Sequence, residues 1–194
     1  MAREVKYVSQ AAPVRQAYRK QTPSCISVRP LTPSLYAAME PRIFKFLTPY
    51  EDMYTSLAAT PEDAAYFTRN GVLQLCQRGA AVKKAPQRWQ DVPSEDICQH
   101  DVAIAFEERI FDAVIEDMQM REPTPEFSPL HVVCLDTKDN PHEAARQGIV
   151  ALRLCWMLEH AEDLQMEAAD IIEKFQEERA SETDIKILYQ VCYL

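Results

Sequence analysis

Apolar positions change their period several times along the chain, and each change marks an element. Leu130 to Leu135 (LHVVCL) is an apolar run rich in β-branched residues and broken only by His131, the pattern of a buried strand. His100 to Ala105 (HDVAIA) is a second short apolar run that suits a buried strand. Between them Ile110, Phe111, Val114, Ile115 and Met118 recur at helical spacing, which predicts an amphipathic helix over 107–120. Pro141 opens a longer helix through His160. Apolar side chains nearly encircle it, so it is expected to be covered on both sides. Leu164, Ala168, Ile171, Ile172 and Phe175 mark a last amphipathic helix, and 185–194 is an apolar closing segment, strand or packed tail.

Upstream, helix-start chemistry takes over from periodicity. Thr48-Pro49, with Glu51 three residues after the threonine, reads as an N-cap, a first-turn proline and a capping-box carboxylate. Thr60-Pro61-Glu62-Asp63 repeats the device and opens a helix through about Arg69. Asn70-Gly71 closes that helix, because glycine accepts the left-handed conformation there. Val72 to Cys76 forms a further short helix. Before residue 44, Glu4 to Ser9 and Cys25 to Val28 read as short strands, and prolines at 13, 23, 30, 33 and 41 interrupt anything longer. The chain therefore divides into a proline-dotted head, 1–43, and an α/β domain, 44–194.

Strands alternating with helices imply a three-layer domain, a parallel sheet flanked by helices. Right-handed crossovers then bring the loops after Ala105 and Leu135 to one sheet edge, where ligand sites of such folds lie. Asp136 and Asp139 belong to that edge.

Charge sharpens the division. Residues 1–50 carry eight Lys/Arg against two Asp/Glu, a net of +6, and the rest carry 13 against 28, a net of −15. The acidic total of −9 argues against direct nucleic-acid binding by a broad basic face. The six cysteines are scattered without a CxxC pair or a histidine pair at zinc spacing, so neither a metal nor another cofactor is expected. With no signal peptide and no 18-residue apolar stretch, the expectation is a reduced, intracellular protein without membrane contact.

Several ordered blocks carry a resemblance. They are Thr48–Tyr54 (TPYEDMY), Asn70–Leu73 (NGVL), Lys83–Gln90 (KKAPQRWQ), Glu107–Asp112 (EERIFD) with Glu116-Asp117, His131–Val133, Asp136 with Asp139-Asn140, and Val191-Cys192-Tyr193. In this series the chain resembles the RNA polymerase II C-terminal-domain serine phosphatases named for suppressor of sua seven, relatives of the low-molecular-weight tyrosine phosphatases. The resemblance covers roughly three quarters of the sequence. It implies a low-molecular-weight-phosphatase-like fold that is divergent at the N-terminus. It also implies a nuclear role in transcription and mRNA 3′-end processing, a phosphorylated polymerase tail as substrate, and a symplekin-like scaffold among the partners.

That chemistry needs a cysteine thiolate to attack phosphorus, because a thiol is the side chain most readily ionised near neutral pH. It needs a loop of backbone N–H groups closed by an arginine to hold the phosphate oxygens, and an aspartic acid to protonate the leaving serine. The family writes the first two as Cys, five residues, Arg-Ser. Here the nearest positional match runs from Ser9 to Gln16 (SQAAPVRQ) after the apolar Val5 to Val8. Ser9 takes the position of the nucleophile and Arg15 that of the phosphate-binding arginine. Ser9 has no base to ionise it, Pro13 removes one N–H donor and Gln16 replaces the serine. Cys25 is no substitute, since Arg29 follows too soon.

By resemblance Asp139 is the general acid, with Asp136 beside it; read from the residues alone, both cap the helix opening at Pro141. Glu107-Glu108-Arg109 reads as a first helical turn with a local ion pair, His142 as solvent-facing, and Trp89 and Tyr54 as packing residues. Three readings follow: a polymerase-tail phosphatase impaired by loss of its thiol, a non-enzymatic docking module of the cleavage and polyadenylation machinery, or an active enzyme whose true first exon differs from this one.

Overall fold

The computed structural model describes residues 42–138, 140–180 and 187–194, with only the backbone at 7–10, 25–28, 141 and 180. It divides into two compact units, one formed by 1–11 with 92–194 and the other by 12–91.

The first unit is built on a sheet of four strands, β1 (Tyr7–Gln10), β4 (Val102–Ala105), β5 (Pro129–Leu135) and β6 (Ile187–Tyr193), in the order β1-β4-β5-β6. β1, β4 and β5 run parallel, as the alternation of strands and helices predicts; β6 closes the sheet antiparallel to β5. Every residue of β4, and every residue of β5 from Leu130 on, is buried, which is why these strands read as apolar runs, with His131 the one polar side chain among them.

Helices cover both faces. Val102, Ile104, Val133, Leu135 and Ile187 form one core with α6 (Pro141–Glu159) and α7 (Leu164–Ala180). α5 (Glu108–Met120) packs on β4, β5 and β6, and its buried Phe111, Val114, Ile115 and Met118 lie outside that core, on the opposite face. A short helix, α4 (Ser94–Ile97), leads into β4.

α6 departs from expectation on one face. Val150, Leu154 and Leu158 are buried, but Ile149, Leu152 and Trp156 are 73%, 70% and 58% exposed. The apolar residues do encircle the helix; α7 and the sheet cover only the inner side.

The second unit holds the antiparallel pair β2 (Cys25–Val28) and β3 (Arg42–Lys45) and three helices, α1 (Tyr50–Leu57), α2 (Pro61–Arg69) and α3 (Val72–Val82). Met53, Leu57, Tyr66, Phe67, Leu73 and Cys76 form its core. Asp63, itself buried, pairs with Arg42 at 3.1 Å and ties α2 to β3. α2 starts as its sequence dictates, with the Thr60 hydroxyl accepting from the Asp63 N–H at 3.1 Å. Gly71 has φ +75°, so the left-handed link between α2 and α3 is the reason for glycine there.

α1 corrects the sequence reading. Thr48 does not cap it: the helix begins at Tyr50 with Pro49 as its N-cap and no side-chain cap bond. The Tyr50 N–H donates instead to the Lys84 carbonyl at 3.1 Å. α3 also runs to Val82, a turn and a half beyond the predicted Cys76. Among the described residues no helix is long and apolar enough to cross a membrane.

Candidate active-site edge

Three parallel strands end together. Gln10 is in register with Ala105, and Ala105 with Cys134. Ser9 lies in β1 opposite Ile104, so β1 ends at the sheet edge where β4 and β5 also end. Arg15 and Asp139 lie outside the described residues. Cys25 is in β2, opposite Lys45 and in the other unit.

The two described loops at this edge are knitted to each other. The Thr137 N–H donates to the Phe106 carbonyl at 3.0 Å, and the Thr137 hydroxyl donates to the Leu135 carbonyl at 2.7 Å. Asp136, exposed, accepts a hydrogen bond from the Glu108 N–H at 3.3 Å. Glu108 is the first residue of α5, whose N-cap residue Glu107 makes no side-chain cap bond. Asp136 thus supplies from β5 the acceptor that α5 lacks locally. It does not cap α6; the Asn140 side chain does, accepting from the Glu143 N–H at 2.9 Å. No local pattern announces a cap delivered across 28 residues, so sequence reasoning missed this role.

Glu107 and Arg109 form the expected local ion pair. His142 is exposed, as expected of a first-turn position, and Trp89 is buried as a packing residue.

The edge is acidic. Burial, followed by the fields of Asp136, Glu108, Asp112 and Glu107, pushes the Cys134 thiol up to about 12. A thiol with that value is ionised to roughly one part in 10⁵ at pH 7, far from a nucleophile's requirement. Burial likewise raises Cys76, Cys155 and Cys192. Cys98 lies before β4, at the opposite end of the sheet, with its sulfur 3.6 Å from the Thr124 hydroxyl. Among the described side chains, then, no thiol at this edge is prepared to accept a phosphoryl group. No cluster of metal-ligating side chains occurs among the described residues either.

The Ssu72-like protein family model matches residues 33–194, a span that begins after Ser9 and Arg15. The chain is 32% identical over 154 residues to SSU72 of Danio rerio, named as a phosphatase of the RNA polymerase II C-terminal domain; the match covers 79% of this chain and 74% of that protein. The Homo sapiens protein of the same name matches with the same identity and coverage. Their names imply a nuclear role for those relatives. Among solved structures, Drosophila melanogaster Ssu72 with symplekin, bound to a cis peptidomimetic phosphoserine peptide of the C-terminal domain, superposes with a TM-score of 0.74 at 28% identity. It covers 88% of this chain and 80% of that one. A second Ssu72 structure, described with modifications of the polymerase C-terminal domain, gives a TM-score of 0.75 at 27% identity, covering 88% and 81%. With most of its length inside the family model and relatives 32% identical over most of both chains, the chain belongs to the Ssu72-like family.

Proposed function

We propose that this protein recognises the phosphorylated RNA polymerase II C-terminal domain in the nucleus, within mRNA 3′-end processing, and that its hydrolytic step is impaired. The observation that carries the reading is the parallel register of β1, β4 and β5, which ends the Ser9 strand on the same sheet edge as the Asp136 loop, one strand away, in a member of a phosphatase family. Ser9 stands for the lost nucleophile and Arg15 for the phosphate-binding arginine. Asp139 is the general acid, and Asp136 beside it fixes the start of α5. The basic head, 1–43, supplies positive charge to an otherwise acidic body, 44–194. A symplekin-like scaffold is the partner that relatives suggest.

A serine hydroxyl without a base is a poor nucleophile, so binding survives where turnover does not. The test is the full chain with a heptad peptide carrying phosphoserine before proline. We expect measurable peptide binding, no phosphate release above buffer from the peptide or from an aryl phosphate, and no effect of vanadate. Vanadate-sensitive release by the unaltered chain overturns the impaired reading; absence of phosphate-dependent peptide binding overturns the recognition reading.

A further inference from the structure

We propose that α6 is a self-association surface, on which two copies of this chain pair antiparallel through its outer face. His142, Ala145, Ile149, Leu152, Trp156 and Glu159 follow one another at intervals of three and four residues, the spacing of a two-helix seam. All six are exposed. In a helix this spacing normally faces the core; here the core takes the other side, through Val150, Leu154 and Leu158.

The seam is complementary to itself in one orientation. A twofold axis between Val150 and Ala151 sets Trp156 over Ala145 of the second copy and Ile149 against Leu152 of the second copy. It also sets His142 beside Glu159 of the second copy. Large meets small, branched meets branched, and each end joins a carboxylate to an imidazole. A parallel pairing stacks Trp156 on Trp156 and Glu159 on Glu159. Gly148 flanks the seam in the middle of the helix, where glycine is a poorer helix former than alanine. A methyl group at Gly148 would meet nothing within 4 Å in this chain. Close approach by a second backbone gives the missing side chain a use.

Charge also selects this face. α6 carries Glu143 and Glu159 against Arg146 and Arg153, a formal net of zero. α5 carries four acidic side chains against one basic, and α7 five against two. Of the long helices in its unit, α6 alone lets two acidic bodies approach without adding repulsion. Arg146 and Arg153 are engaged within the chain, by Glu143 at 2.8 Å and by Glu178 at 2.6 Å. One pair of helices about 28 Å long lies at the small end of stable interfaces, so the dimer is expected at micromolar concentration.

Sedimentation of the full chain from about 1 to about 100 μM tests this, with a monomer–dimer equilibrium expected inside the range. Trp156→Glu is expected to weaken the dimer at least about thirtyfold, with an unchanged unfolding midpoint at concentrations where both chains are monomeric, since Trp156 lies outside the core. His142→Glu is expected to weaken self-association, and mixing it with Glu159→Lys copies to restore dimers as heterodimers. Three results each overturn the proposal: a monomer at the highest concentration, a dimer indifferent to Trp156→Glu, or mixed copies that pair no better than His142→Glu alone. A face reserved for a different protein gives the first of these.

Discussion

The carboxylate of Asp136, one residue beyond β5, accepts the first N–H of α5 from Glu108 at 3.3 Å, so one strand's exit loop caps the helix that follows its neighbour. Removing that acceptor leaves the N–H to water. Asp136→Ala is expected to lower stability by about 1 kcal/mol, and Asp136→Asn, which keeps a carbonyl oxygen, by about half as much or less. Urea unfolding monitored by far-UV circular dichroism measures both.

Two threonines that look alike in sequence differ in the fold. Thr60 caps α2, so Thr60→Ala is expected to cost about 1 kcal/mol. Thr48 caps nothing, so Thr48→Ala is expected to fall within about 0.5 kcal/mol of the unaltered chain. Thermal melts of the two variants side by side separate them.

Those threonines show what was legible. The α2 cap depends on a contact three residues away, which a sequence displays. At α1 the Lys84 carbonyl, distant in sequence, takes the Tyr50 N–H, and Leu47 turns the chain with φ +67°, so the helix starts late. β4 and β5 were readable because burial on both faces imposes an apolar run, and α5 and α7 because burial of one face imposes a period. The outer face of α6 was not, because apolar spacing records that a face seeks a partner without saying which. At the candidate site, the gathering of the exit loops followed from crossover handedness, whereas the service of Asp136 to α5 arises only when two strands meet.

Cys134 yields a prediction about alkaline pH. Its folded value is raised, from about 9 to about 12, so the folded state holds the proton more tightly than the unfolded state. The resulting stability is complete below about pH 9 and is lost as pH rises towards 12. Cys134→Ala is expected to be less stable at neutral pH by cavity formation and to show a shallower fall above pH 9. Guanidinium titrations at several pH values give the slope.

His131 works in the opposite range. It is 2% exposed, its Nδ1 lies 2.8 Å from the Tyr189 hydroxyl, and burial holds its value below the ordinary 6.5. The unfolded chain takes up the proton first, so stability is expected to fall as pH drops through 6.5. Tyr189→Phe strands Nδ1 in a ring whose Nε2 already has no hydrogen-bond partner, at an expected cost of about 1–3 kcal/mol. Unfolding midpoints at pH 5 and pH 8 test both statements.

The proposed loss of chemistry is also reversible in principle. Ser9→Cys alone supplies a thiol but leaves Pro13 without an N–H and Gln16 in place of serine. It is expected to give little or no vanadate-sensitive phosphate release. Ser9→Cys with Pro13→Gly and Gln16→Ser restores the loop's donors and is expected to exceed the single variant at least about tenfold. Steady-state assays on the phosphoserine peptide decide.

β1 stands at one end of the sheet order, and Gln10 reaches Ala105 across about 95 positions of intervening chain. The strand that carries Ser9, the proposed nucleophile position, is therefore an edge strand held over only four residues, against seven for β6 at the other end. β4, β5 and β6 hold one another without it. A lineage can exchange that leading strand, with whatever reagent it bears, and keep an intact platform; inheritance of shape and inheritance of reactivity are separable in this architecture.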